Sequence, residues 1–129
     1  MIHTFPIRVY YEDTDMAGIV YYANYLRYIE RARSDWVRAL GVDQNAMREK
    51  DGIVFVVRRV EADYIAPAKF DDELVVRTET KSVTGVRLVM HQEVWRGDTL
   101  LFQAEVLVVC VNEAGGAARL PANIRQKLH

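Results

Sequence analysis

An acidic cluster lies immediately before the most regular helical pattern of this 129-residue chain. Within the stretch EDTDMAGIVYY, Asp15 lies three residues before Gly18, and glycine allows the backbone to approach a ligand closely. The first turn of a helix carries N–H groups that have no partner within the helix. Here these groups belong to Val20, Tyr21 and Tyr22. Such donors can hold a developing oxyanion while a nearby carboxylate attacks a carbonyl carbon or activates a water, so the spacing indicates an acyl-transfer site.

Other roles compete for the acidic cluster. An aspartate before a helix is most often a cap. The order Asp13-Thr14-Asp15 is similar to the Asp-x-Asp of aspartyl-phosphate phosphohydrolases, but that chemistry needs a parallel doubly wound sheet. The ligand spacing of an EF-hand loop is not met either. Zinc would need a cluster of histidine and cysteine, and the histidines are scattered, so we expect no metal site. They are His3, His91 and His129.

Hydrophobic periodicity predicts the elements that position the cluster. Apolar residues at helical spacing predict a helix over 21–40, ended by Gly41 as a C-cap. Its single broad apolar stripe indicates that the helix lies against a sheet. Glu30 on its polar face is predicted to form a surface ion pair. The neighbouring cations are Arg27, Arg31 and Arg33.

Strands dominate the rest of the chain. Period-two and β-branched runs predict strands at 6–11, 53–65, 73–83, 86–96 and 99–112, with turns at Thr84-Gly85 and Gly97-Asp98. The chain at 43–52 is predicted to be a short helix or a loop, and 113–124 a loop followed by a short helix. We therefore expect a single domain, 1–129, of the α+β class: a largely antiparallel sheet with one long helix packed on it.

Composition narrows the class of protein. A formal charge of −1, from 17 Lys+Arg and 18 Asp+Glu, argues against a nucleic-acid-binding protein. The single cysteine, Cys110, lies in the apolar run EVLVVCVN, which predicts a buried thiol and a reducing compartment. The N-terminus lacks the features of a signal peptide, and no apolar run approaches the ~20 residues of a membrane helix. We expect a cytoplasmic protein with no membrane insertion, whose small sheet needs a partner subunit to cover an apolar face.

The acidic loop and the helix together resemble the signature of the 4-hydroxybenzoyl-CoA thioesterase family, whose fold is the hotdog. The stretch that carries the resemblance is RVYYEDTDMAGIVYYANYLRYIERAR, and its matching positions are Arg8-Val9, Thr14-Asp15, Gly18-Ile19-Val20 and Tyr25. The likeness continues through FVVRRVEADYIAPAKFDDEL and QAEVLVVCV, which look most like the acyl-CoA thioesterases associated with the Tol–Pal system. It implies a five- or six-stranded antiparallel sheet wrapped around a central helix. It also implies homodimers, commonly homotetramers, with active sites at the dimer interface.

The resemblance assigns roles to three residues of the loop. Asp15 takes the position of the catalytic carboxylate, as nucleophile or general base, and the backbone N–H of Tyr22 would hold the thioester oxygen. Gly18 permits the close approach. Many relatives have histidine at the position of Tyr22, so any acid–base role of an imidazole is lost here. The implied activity is hydrolysis of acyl-CoA to free acid and CoA, with CoA as part of the substrate and no separate cofactor.

Substrate binding is assigned more broadly. The helix start and its first turn would line the acyl site, through Val20, Tyr21 and Tyr25. Some relatives hold the CoA phosphates with a basic cluster, and the matching stretch here, SVTGVRL, has only Arg87. Other candidates for the phosphates are Arg58, Arg59 and Lys69. The alternative hypothesis is a non-catalytic module that binds acyl groups or acyl carrier protein.

Overall fold

The computed structural model describes residues 2–129, and six strands and three α-helices make up most of them. The strands are β1 (His3–Arg8), β2 (Ile53–Tyr64), β3 (Glu73–Val83), β4 (Arg87–Arg96), β5 (Thr99–Asn112) and β6 (Ala117–Ala118). The helices are α1 (Asn24–Ala39), α2 (Gln44–Ala46) and α3 (Ala122–Lys127). A 3₁₀ turn covers Tyr11–Asp13, and a π turn, Met47–Asp51, follows α2. No helix of the described chain is both long and apolar enough to cross a membrane.

All strands join one antiparallel sheet with the order β1-β3-β4-β5-β2, and β6 pairs with the end of β5. The helix α1 packs on one face of this sheet, mainly against β1, β3 and β4. The inner face of β2, at the far edge, is therefore less covered than the rest. The α+β class and the antiparallel sheet with one long helix are as predicted.

The core lies between α1 and the inward-facing residues of the strands. Tyr28, Ile29 and Ala32 of the helix are fully buried, as the apolar stripe predicted. A polar bridge also crosses the core: Gln92 on β4 donates through Nε2 to the Ile29 carbonyl (2.9 Å) and to Thr78 Oγ1 on β3 (2.9 Å). Cys110 is buried on β5, as expected for its apolar run. Burial raises the pKa of its thiol to about 11, so the thiol stays protonated at neutral pH.

Three local predictions are wrong. The strand predicted at 6–11 ends at Arg8, because the chain turns into the 3₁₀ segment. The helix predicted from residue 21 begins at Asn24, because the chain before it forms a tight turn in which the Asn24 N–H donates to the Tyr21 carbonyl (2.8 Å). The loop predicted at 113–124 contains β6, which is held against the end of β5.

Candidate active site

A tight turn positions the carboxylate of Asp15. The Gly18 N–H donates to the Asp15 carbonyl (2.9 Å), and Gly18 has φ +78°, a left-handed conformation that favours glycine. The Ala17 N–H donates to Asp15 Oδ1 (2.9 Å), which fixes the side chain against its own turn. The residue is exposed, so a ligand can reach its carboxylate.

The two arms of the acidic loop meet just before α1. Thr14 pairs with Val20 as an isolated antiparallel bridge, and Ile19 pairs with Lys69 in the same way. The Asp15 N–H also donates to the Ile19 carbonyl (3.0 Å). These contacts make the loop a miniature hairpin whose tip carries Asp15 and Gly18 and whose second arm leads into the helix.

Only part of the helix start is available to a ligand. The Val20 N–H donates to the Ala68 carbonyl (2.9 Å) and the Tyr21 N–H to the Asp13 carbonyl (2.9 Å). The prediction that these two N–H groups are free is therefore wrong. Within the described chain, the N–H groups of Tyr22 and Ala23 have no hydrogen-bond acceptor, and no side chain caps α1. The Tyr22 N–H, the position implied by the resemblance, remains open.

Aromatic side chains surround the helix start. The Tyr64 hydroxyl at the end of β2 donates to the Tyr22 carbonyl (3.0 Å), and the Tyr64 ring packs edge-on against Tyr22, Tyr25 and Phe102. Tyr25 is 3% exposed and its hydroxyl accepts the Ala68 N–H (3.0 Å), so it packs in the core beneath the site. Burial raises the pKa of both hydroxyls, Tyr25 and Tyr64, so they are neutral at physiological pH.

A loop between β2 and β3 supports the helix start from below. Asp72 Oδ2 accepts the Lys69 N–H (2.8 Å) and pairs with Arg96 Nη1 at the end of β4 (2.9 Å). Burial alone would raise the pKa of Asp72, but these bonds and charges outweigh it and hold the pKa below its usual range. The loop is thus anchored to the sheet, and it presents the Ala68 carbonyl to the Val20 N–H.

The predicted phosphate-binding residues do not gather around Asp15 within one chain. Lys69 adjoins the acidic loop through its bridge to Ile19. Arg58 occupies a bulge of β2, and Arg59 is paired with Glu61 on the same strand. Arg87 begins β4, nine residues from Arg96, which is about 30 Å along a strand. Of the four, only Lys69 is placed to contact a ligand held at the helix start of the same chain.

Sequence reasoning missed Tyr64 and Ala68, which contact the helix start from more than forty residues away. The one available signal was their place inside the second resembling stretch, FVVRRVEADYIAPAKFDDEL. Across residues 2–129, no three His, Cys, Asp or Glu side chains converge as the ligands of a metal ion would.

Comparisons with known proteins identify the class. Residues 17–103 match the model of the Thioesterase superfamily, and the chain belongs to that superfamily. Its fold is the hotdog, and the resemblance to the 4-hydroxybenzoyl-CoA thioesterase family is confirmed, as is the prediction of a thioester hydrolase.

Individual relatives are similar over most of their length. The acyl-CoA thioesterase YbgC of Haemophilus influenzae is 43% identical over 109 residues, which cover 84% of this chain and 80% of that protein. The acyl-CoA thioester hydrolase YbgC of Escherichia coli O157:H7 is 46% identical over 108 residues, covering 83% and 80%.

Solved structures agree with the fold. A probable thioesterase from Bartonella henselae superposes with a TM-score of 0.89 at 36% identity, covering 94% of this chain and all of that one. A mutant 4-hydroxybenzoyl CoA thioesterase complexed with 4-hydroxybenzoyl CoA has a TM-score of 0.92 at 25% identity, covering 99% of both chains.

Proposed function

We propose that this protein hydrolyses acyl-CoA thioesters, with Asp15 as nucleophile or general base and the Tyr22 N–H as oxyanion donor. The observation that carries the proposal is the pairing of two open groups. An exposed carboxylate is fixed by the Gly18 turn, and an uncapped helix start leads out of the same small hairpin. The named activities of the similar YbgC proteins supply the substrate class.

The proposed chemistry follows from two charges, the negative carboxylate of Asp15 and the partial positive charge at the start of α1. A thioester carbonyl placed between Asp15 and α1 would direct its oxygen at the Tyr22 N–H, where the helix dipole favours negative charge. The Asp15 carboxylate then attacks the carbonyl carbon itself, or removes a proton from the water that does. The CoA thiolate leaves without a strong acid, because a thiol is already acidic enough to depart as its anion.

The active unit is proposed to be a homodimer or a homotetramer. β2 is an edge strand, and its inner face exposes apolar side chains that α1 does not cover. These are Val57 (45% exposed), Val60 (36%) and Tyr64 (47%), and the two valines line a groove together with Leu26 (40%) of α1. A second copy would cover this face, and because Tyr64 contacts Tyr22, the partner would also border the acyl site.

Thiol release from a panel of acyl-CoAs, aliphatic and aromatic, tests the proposal. Asp15→Asn keeps the shape of the side chain and removes its charge, so kcat is expected to fall at least about a hundredfold. Glu12→Gln is the matched control, since it neutralises another exposed carboxylate of the same loop and is expected to stay within about twofold of the parent. Equal rates for Asp15→Asn and the parent would disprove the role of Asp15.

The same panel separates the alternative function. A parent protein that binds acyl-CoA or acylated carrier protein but releases no thiol would be a binding module. Single-turnover hydrolysis in heavy-oxygen water separates the two routes of attack. Direct attack by water places the label in the released acid, whereas an anhydride that opens at the protein carbonyl places it in Asp15.

A further inference from the structure

Tyr64, the last residue of β2, contacts the backbone just before α1 with its hydroxyl. The hydroxyl donates to the Tyr22 carbonyl (3.0 Å). Burial raises the pKa of this hydroxyl, and the nearby hydroxyls of Tyr22 and Tyr25 raise it further, so the group stays protonated and can donate at neutral pH. The bond therefore joins an edge strand of the sheet to the first backbone groups of the proposed oxyanion site.

The sheet and two buried rings hold the Tyr64 side chain in place. Tyr64 pairs with Phe102 of β5 in the antiparallel register. The next N–H along the chain, that of Ile65, donates to the Leu101 carbonyl (2.9 Å). The Tyr64 ring packs edge-on against Phe102 (5.0 Å between centroids) and Tyr25 (5.6 Å), which are 0% and 3% exposed. The position of the hydroxyl is therefore set by the core and not by the acidic loop.

The bond orients a whole peptide group. The peptide that joins Tyr22 to Ala23 is trans and planar, so its C=O and its N–H point in opposite directions. A donor that holds the Tyr22 carbonyl therefore also sets the direction of the Ala23 N–H, which has no acceptor among the described residues. Hydrogen bonds in a chain also strengthen one another, by about 10–30% each, so the bonded carbonyl makes this N–H a stronger donor.

A purely structural role, in which Tyr64 only fastens β2 to α1, is the competing explanation. Tyr64 is 47% exposed, so water can replace its hydrogen bond at little cost to stability. Its ring packs against Phe102 and Tyr25 through contacts that do not involve the hydroxyl. What the hydroxyl alone contributes is the orientation of the Tyr22 carbonyl.

We propose that Tyr64 is a positioning residue for thioester hydrolysis, which through the Tyr22 carbonyl holds the Ala23 N–H as a second oxyanion donor beside the Tyr22 N–H. The inference rests on the proposed function, and it adds one donor and the group that orients this donor. Negative charge on the thioester oxygen is greatest in the transition state. An oriented donor therefore lowers the barrier more than it strengthens the binding of substrate.

Thiol release by Tyr64→Phe, with kcat and KM determined separately, tests this role. The substitution removes the hydroxyl and keeps the ring. Because the carbonyl loses the hold of one ordinary hydrogen bond, kcat is expected to fall about three- to tenfold, while KM stays within about twofold of the parent. Tyr11→Phe is the matched control, since it removes the hydroxyl of another exposed tyrosine, and it is expected to keep the kcat of the parent.

The vibration of the substrate carbonyl distinguishes positioning from a general loss of structure. The acyl-CoA with the highest kcat/KM in the panel, labelled with carbon-13 at its carbonyl, is bound to Asp15→Asn, and difference infrared spectroscopy records the C=O stretch. Hydrogen bonds from the oxyanion donors lower this frequency. Adding Tyr64→Phe to Asp15→Asn is expected to move the frequency back toward that of the free thioester, whereas adding Tyr11→Phe should leave it unchanged.

The outcomes separate this inference from the proposed function. Thiol release by Tyr64→Phe at the kcat of the parent, or an unchanged carbonyl frequency, would overturn the positioning role and leave the assignment of Asp15 intact. A rise in KM at constant kcat would overturn it too, because the hydroxyl would then act in binding alone. A lower kcat that reflects only a smaller folded fraction, measured by urea unfolding, would also overturn it. A parent that releases no thiol from any acyl-CoA would overturn both proposals.

Discussion

Gly18→Ala tests whether the turn that holds Asp15 matters for activity. Gly18 has φ +78°, and a Cβ built on it meets no atom within 4 Å. The substitution therefore adds backbone strain and no steric clash. For an L-residue in the left-handed region this strain is about 1–2 kcal/mol. Relief of this strain would disturb the bond from the Gly18 N–H to the Asp15 carbonyl and the bond from the Ala17 N–H to Asp15 Oδ1, which hold the carboxylate in place.

The size of the effect is bounded by the strain. If the turn in Gly18→Ala relaxes, the strain energy sets the largest possible fall in the fraction of molecules that hold Asp15 in its productive position. Since 1.36 kcal/mol corresponds to tenfold, kcat/KM is expected to fall by about five- to thirtyfold, and not by the larger factor expected for Asp15→Asn. The free energy of unfolding falls by no more than about 2 kcal/mol.

Gly97→Ala provides the control, because it separates strain from position. Gly97 lies in the turn between β4 and β5, has φ +57° and also meets nothing within 4 Å of an added Cβ. It should lose a similar free energy of unfolding and keep full kcat/KM. Gly18→Asn should restore most of the activity, since asparagine tolerates the left-handed region. Urea unfolding and thiol release on the four proteins check this, and equal activity of Gly18→Ala and Gly97→Ala would refute the role of the turn.

Two further predictions concern the contacts beneath the helix start. Tyr25→Phe leaves the buried Ala68 N–H without its acceptor, so the free energy of unfolding should fall by about 1–3 kcal/mol, which is roughly 4 °C in Tm for each kcal/mol. Tyr64→Phe removes an exposed bond and should lower the free energy of unfolding by less than about 0.5 kcal/mol. Thermal unfolding of both variants at one protein concentration compares them. Arg96→Met removes the partner of Asp72 and should cost about 1 kcal/mol at pH 7. The pKa of Asp72 is depressed in the folded chain, so its carboxylate stabilises the fold above the unfolded pKa near 4, and this contribution is lost as the pH falls below that value. The free energies of unfolding of the parent and of Arg96→Met, measured in urea, should therefore differ at neutral pH and converge in acid.

The strands of the second half of the chain were predictable from local pattern. The predicted strand 73–83 coincides with β3, and 99–112 with β5, because alternating residues separated by tight turns leave one register with an apolar inner face. The helix start was not predictable in the same way. Tyr22 continues the apolar spacing of α1, yet it lies in the tight turn that the bond from the Asn24 N–H to the Tyr21 carbonyl closes, before the helix begins. Periodicity shows which residues are apolar, but it does not show where a tight turn gives way to the α-helix.

The candidate site was likewise predictable only where its residues are close together in the sequence. Asp15, Gly18 and Tyr22 lie within eight residues, so their spacing alone suggests a carboxylate beside helix donors. Tyr64 and Ala68 reach the same place through the sheet and through the loop after β2, and no short motif contains both groups. The basic residues proposed for the phosphates were chosen by type, and the fold separates them along strands.

The structure also argues against one role of Asp15, the capping of α1. A capping carboxylate accepts an N–H from the first turn of the helix that it precedes. Asp15 accepts the N–H of Ala17 in its own turn, and α1 begins at Asn24 with no side chain capping it. A cap at this position would stabilise the helix by about 1 kcal/mol, and the chain has a carboxylate close by that does not make that bond. The carboxylate of Asp15 and the N–H groups before α1 do not satisfy each other, so both stay available to a substrate, as the proposed mechanism requires.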